Sequence, residues 1–259
     1  MEIDYTKFFG NTEKPLDTIA ENGGYCAIFR RIACIGDSLS SGEFEAVLEN
    51  GEKSYQDMFE HSWGQYLARL TGSKVYNFSR GGMSAGIYCN EFADSKGFWS
   101  VDTKADAYII ALGVNDLFGY NENPGSIEDI DFENWRNNKT SFIGYFAQII
   151  ARYKEIQPKA KFFLVTFPND GRPNKIAERH RELMYELAEK FSNTYVIDLY
   201  KYAPPYDDNF KKVYYLNGHL NPMGYLFTAK IISSYIDYII RHNVDDFREV
   251  GFIGTDFHG

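Results

Sequence analysis

Short apolar runs alternate with longer segments of helical spacing from residue 30 onward. "RIACIG" (31–36) reads as a buried strand, followed by a polar loop and a helix around "SWGQYLARLTG" (62–72). "KVYNFS" (74–79) predicts a second strand, and "AYIIALGV" (107–114) a third with the unbroken apolar character of a central parallel strand. "SFIGYFAQIIARYKEI" (141–156) has helical periodicity and stops before Pro158. "AKFFLVTF" (160–167) and "TYVIDLY" (194–200) predict two more strands, flanking a long amphipathic helix over 174–193. A last helix starts near Pro222 and runs through "YLFTAKIISSYIDYIIRH". Five strands separated by helices predict an α/β protein whose parallel sheet is covered on both faces through right-handed crossovers. The ligand crevice of such a sheet lies beyond the carboxyl ends of its strands.

Neither a repeat nor a linker divides the chain, so a single domain over 1–259 is expected, with an N-terminal extension (1–25) and an irregular C-terminal tail (243–259) that straps across the surface. The polar, turn-rich stretch 117–138 reads as an insertion near the crevice. An apolar fraction of 44% with 17% aromatics supplies a large core and excludes global disorder. The 36 acidic residues outnumber 27 basic ones, for a net charge of -9, and no Lys/Arg run interrupts them, which argues against a nucleic-acid partner. Residues 1–20 lack the apolar centre of a signal peptide, and no apolar run approaches the roughly 20 residues that span a bilayer. Cys26, Cys34 and Cys89 form no C-x-x-C pair. A soluble, cytoplasmic protein with no membrane partner is the expectation. The sequence carries no signal of oligomeric state.

Polar residues that can do chemistry fall just after the predicted strands. Ser38 follows the first in "IGDSLSSGE", Gly82 the second in "NFSRGG", and Asn115 the third in "GVND". His219 lies beyond the fifth strand in "GHLNPMGY". A serine hydroxyl needs a neighbouring base to become a nucleophile, and neutral imidazole is suited to that at pH 7. Backbone amides in the serine loop, an amide at a glycine and an asparagine side chain are suitable donors to a developing oxyanion. Each feature alone is ordinary cap or turn chemistry.

Together these four blocks resemble the SGNH hydrolases, the GDSL-type esterases and lipases, over roughly residues 31–240. The resemblance implies a flavodoxin-like three-layer α/β/α sandwich with a five-stranded parallel sheet and a shallow, open site. It implies Ser38 as nucleophile and amide donor, the Gly82 amide and Asn115 side chain as further donors, and His219 as base. Asp37, Leu39 and Asp116 beside these blocks, and Trp63 in "SWGQY", are candidate substrate contacts. The substrate expected is a small carboxylic ester with a short, acetyl-type acyl group, carbohydrate being the candidate alcohol. A lipase or lysophospholipase, or an inactive ligand-binding domain, are the alternatives.

The chain departs from the family at one key position. An Asp is expected three residues before the histidine, where Leu216 stands. A Ser–His dyad, its ring held by the carbonyl of Leu216 or Asn217, is the leading reading. A triad completed by Asp207 or Asp208 is the second, while Asp198 is expected to be structural. His61, His180, His242 and His258 lie off the strand ends, and His180 is expected on a solvated helix face. No metal-ligand spacing, P-loop or G-x-G-x-x-G turn appears, so neither metal nor cofactor is expected. Around Ser38 the fifth position is Ser40, and the serine lies in the first strand's loop, so the context is not the G-x-S-x-G elbow of α/β-hydrolases.

Overall fold

The computed structural model describes residue 10 and residues 12–249. Nine strands occur among them: β1 (Arg31–Gly36), β2 (Glu43–Val47), β3 (Lys53–Asp57), β4 (Lys74–Ser79), β5 (Ala107–Ala111), β6 (Lys161–Val165), β7 (Thr194–Ile197), β8 (Tyr215–Leu216) and β9 (His219–Leu220). Five form one sheet in the order β4-β1-β5-β6-β7, each neighbouring pair parallel. Relative to chain order that is the flavodoxin-like 2-1-3-4-5 arrangement, as expected, with its switch point between β1 and β5.

Alternation along the strands builds the two cores. Ala33, Ile35, Tyr108, Ile110, Phe162 and Leu164 face helices Phe142–Ile156 and Lys175–Lys190. Ile32, Cys34, Ala107, Ile109, Phe163 and Val165 face helices Trp63–Thr71 and Pro222–His242. The result is three layers. Much of the aromatic content is core: Tyr88 and Tyr153 are buried with their hydroxyls 2.6 Å apart, and Trp99 packs on both rings.

The strands beginning at 107, 161 and 194 end earlier than the apolar runs suggest, because the following residues turn out of the sheet. Asp198 closes the last of them. Its buried carboxylate takes hydrogen bonds from Arg181 (2.6 Å) and Tyr185 (2.9 Å) and caps helix Leu199–Tyr202, the structural role expected of it.

Two expectations fail, the polar loop after β1 and the irregular tail. The segment after β1 is not merely a polar loop, since β2 and β3 form an antiparallel hairpin there. Residues 12–28 are tied to the last long helix: Glu13 pairs with Arg241, and the Ala20 and Tyr25 amides donate to Ser234 and Asp237. The tail keeps a helical turn, Val244–Phe247, whose Phe247 is buried against Phe29, Phe163 and Tyr195. Residues 1–9, 11 and 250–259 of the expected extension and tail lie outside the described residues. No described helix is long and apolar enough to cross a membrane.

Candidate active site

Three turns meet at the carboxyl end of the sheet. After β1, Asp37 caps the one-turn helix Ser38–Ser41, accepting from the Leu39 amide at 3.1 Å, so Ser38 is the first residue of that turn. After β4, Gly82 has φ +68°, the left-handed region that favours glycine, and its N–H has no hydrogen-bond partner among the described residues. After β5, Asn115 opens a π-helical turn and donates from Nδ2 to the Met83 carbonyl at 3.0 Å, which ties its side chain to the Gly82 turn. Tyr120 donates to the Gly82 carbonyl at 3.1 Å.

His219 arrives from the far end of the chain. The two-residue Asn217-Gly218 turn links β8 to β9, with Asn217 at φ +56°. Two residues after the histidine, Asn221 caps helix Pro222–His242, accepting from the Gly224 amide at 2.9 Å with proline in the first turn. The Tyr225 hydroxyl on that helix donates to the Glu43 carbonyl at 2.7 Å and lies 3.5 Å from the Ser38 carbonyl. One buried tyrosine thus ties the histidine's helix, the hairpin and the serine turn together. Ser38, Leu39, Asn115, Phe167, Tyr200 and His219 line one open cleft of about 460 Å³. The sequence therefore anticipates that Ser38, Asn115 and His219 converge, and the Gly82 turn is hydrogen-bonded to that group.

The imidazole is held differently from either expectation. Asp207 accepts from the Asn209 and Phe210 amides as a helix cap, and Asp208 is exposed beside Arg172. Neither makes a hydrogen bond or ion pair with His219 among the described residues. Nor does a carbonyl of Leu216 or Asn217 satisfy Nδ1, which is buried and has no well-formed hydrogen bond among the described residues. Two carboxylates from β2 stand there instead. Glu45 Oε2 lies 3.4 Å from Nδ1, long for a hydrogen bond, and Glu43 Oε1 lies 3.1 Å from Nε2. Both come from one strand face, being two residues apart. Burial lowers the pKa of His219 and Glu45 pulls against that shift. Glu45 is held below the usual carboxylate range by the Lys53 ammonium at 2.8 Å. Glu43 is pushed up by burial and by neighbouring Asp57 and Glu45.

Sequence reasoning missed this pair, although a signal was present. "EFEAV" alternates, and Asn50-Gly51 sits between β2 and β3, a hairpin signature.

Of the four candidate substrate contacts, Leu39 lines the cleft. The other three are buried, and Asp37 and Trp63 line a small cavity beside the cleft. Asp37 and Asp116 are buried and accept from backbone amides, Leu39 in one case and Ala85 (2.7 Å) in the other. Burial pushes each carboxyl up to about 7. Asp116 thereby locks the Asn115 turn to the loop after Gly82. Trp63 is buried in the core beneath the serine turn. His180 is not solvated; it is fully buried, stacks on Phe167 with ring centroids 3.7 Å apart, and lies 3.2 Å from the Leu112 carbonyl. Burial lowers its pKa to about 3, so the ring is neutral. Its helical neighbours Ala177, Leu183, Met184 and Leu187 are all buried, a spacing that outweighs the charges around it.

A flavodoxin-like sheet with polar side chains gathered at its switch point defines an α/β protein with a ligand crevice at that edge. Residues 34–226 match the model of the GDSL-like Lipase/Acylhydrolase family, and the chain belongs to that family. By family it is a carboxylic ester hydrolase. No curated protein sequence matches it.

Among solved structures, it is similar to a family two carbohydrate esterase from Clostridium thermocellum in complex with cellohexaose, at 16% identity and a TM-score of 0.57, covering 90% of this chain and 66% of that one. It is similar to a family 2 carbohydrate esterase with a carbohydrate binding domain from Corynascus thermopiles (Myceliophthora fergusii), at 14% identity and a TM-score of 0.54, covering 82% and 66%. A family 3 carbohydrate esterase of Clostridium thermocellum matches at 14% identity and a TM-score of 0.51, covering 82% and 98%. At these identities the likeness is one of fold, and the chain spans 66% of the length of both family two structures.

Proposed function

We propose that the protein cleaves short acyl esters, with a carbohydrate as the alcohol, through an acyl-enzyme on Ser38. The observation that carries this reading is that Ser38, Asn115 and His219, from three distant parts of the chain, line one cleft at the sheet's switch point. His219 takes the Ser38 proton as Oγ bonds to the acyl carbon, then returns it to the departing alcohol. Water repeats the sequence to release the acid. The Ser38 and Gly82 amides and the Asn115 side chain are the donors proposed for the oxyanion. Asn115→Ala is expected to lower kcat by ~10²–10³ with little change in KM, the usual cost of one such donor, as steady-state kinetics would show.

The substrate class rests on the cleft and on the fold likeness to carbohydrate esterases. Phe118 and Tyr200 line the cleft with Asp170, Asn174 and Lys211, and aromatic faces beside polar groups suit a sugar. Beside Ser38 the apolar side formed by Leu39, Val114, Phe167 and Pro168 adjoins a small cavity of about 60 Å³, room for a short acyl group only. Rates on acetyl, butyryl and dodecanoyl esters and on acetylated sugars, with Ser38→Ala as blank, test the proposal. The shortest acyl group should be cleaved fastest and sugar acetates should release acetate; a preference for dodecanoyl esters would contradict it. One observation favours a binding-only domain, the Glu43 carboxylate at Nε2, and the same assay distinguishes the two.

A further inference from the structure

We infer that Glu45, on the hairpin that follows the serine turn, is the positioning residue for His219 and supplies what the absent acid at position 216 would have done. This inference rests on the proposed role of His219 as base.

The acid of such a site has to accept a hydrogen bond from Nδ1–H, so that the ring carries its proton there and presents an unprotonated Nε2. Glu45 Oε2 is the carboxylate oxygen at Nδ1, 3.4 Å away. Its second oxygen, Oε1, is engaged separately by Lys53 Nζ at 2.8 Å. That division of labour keeps the carboxylate ionised and fixes which oxygen faces the ring. The strand is itself anchored to the histidine's turn, because Asn217 Nδ2 donates to the Glu45 carbonyl at 2.8 Å. Gly218 leaves the room: a Cβ there would collide with Glu45 Oε2.

Glu43 is the competing candidate and fits the role less well. It lies at Nε2, the nitrogen the serine needs, and pairs with no lysine or arginine among the described residues. Its neighbours Asp57 and Glu45 are acidic and favour its protonated form. The charged and titratable groups facing the ring are thus Glu43 and Glu45 from β2, with Lys53, Tyr55 and Asp57 from β3. During reaction the Nδ1 proton stays on the ring while Glu45 accepts its hydrogen bond. The Ser38 proton moves to Nε2 and then to the leaving oxygen, so Glu45 itself never takes a proton.

The two-oxygen arrangement makes an unusual prediction. In Glu45→Gln the side-chain carbonyl should remain with Lys53, leaving the NH2 group facing Nδ1. An NH2 donor there forces the proton onto Nε2, the wrong tautomer. Glu45→Gln should therefore lose more kcat than Glu45→Ala, ~10²-fold or more, with KM nearly unchanged. Adding Lys53→Met to Glu45→Gln frees the amide to rotate and should restore part of the loss.

The experiment is histidine-¹⁵N NMR on the full chain at pH 8, alongside kcat and KM on a nitrophenyl acetate. Wild type should show His219 protonated at Nδ1, and Glu45→Gln should move the proton to Nε2. Retention of the Nδ1 tautomer in Glu45→Gln, or a loss of kcat in Glu43→Gln that Glu45→Gln does not show, would overturn the assignment. An inactive wild type would overturn the ester reading alone, because the tautomer shift is read without turnover.

Discussion

Ser38→Ala is expected to lower kcat for a short acyl ester by ~10⁶-fold, the scale on which hydrolases lose activity when their nucleophile is removed. The residual rate should be independent of His219, since a base without a nucleophile has nothing to activate. Ser38→Ala/His219→Ala should accordingly be no slower than Ser38→Ala alone. The substitution should leave the fold intact. Asp37 still caps the turn through the Leu39 amide, and Tyr225 meets the backbone carbonyl of residue 38, not its side chain. An unchanged melting temperature with lost turnover is the expected pair of results, read by calorimetry and steady-state kinetics.

His219→Ala is expected to cost nearly as much, ~10⁵–10⁶ in kcat, because the serine hydroxyl then loses the imidazole proposed as its base. Asp207→Asn and Asp208→Asn should change the rate little. The first is a helix cap that Asn performs as well, and the second is an exposed residue beside Arg172. Wild-type kcat/KM should also carry the signature of this histidine. The reaction needs the neutral ring, and burial lowers its pKa from the ordinary 6.5. Activity should therefore stay high as pH falls through 6.5 and decline only below it, as the ring takes up a proton. A kcat/KM profile already half lost above pH 6.5 would assign the limb to another group.

How far the sequence reveals this site depends on the range of the pattern involved. The five parallel strands are legible because each is an apolar run bounded by polar turns, and "RIACIG" and "KVYNFS" match β1 and β4 end to end. Ser38, Gly82 and Asn115 are legible because parallel strands deliver their following residues to one edge. The His219 partner is not legible by that logic. It comes from a hairpin whose alternation is real but short, and whose acidic residues resemble a solvated loop until β9 is placed against them. His180 shows the opposite error, since charged sequence neighbours masked a buried helical spacing. Asp37 and Asp116 are near the site in sequence yet face inward, because turns this tight need acceptors for their own amides.

In the proposed mechanism the His219 imidazole activates the Ser38 oxygen. Treatment of the full chain at neutral pH with a fluorophosphonate, followed by intact mass and peptide mapping, tests it most directly. A single adduct is expected on the peptide bearing Ser38, absent in Ser38→Ala and nearly absent in His219→Ala. An unmodified wild-type chain, or an adduct on another serine with Ser38 untouched, would contradict it.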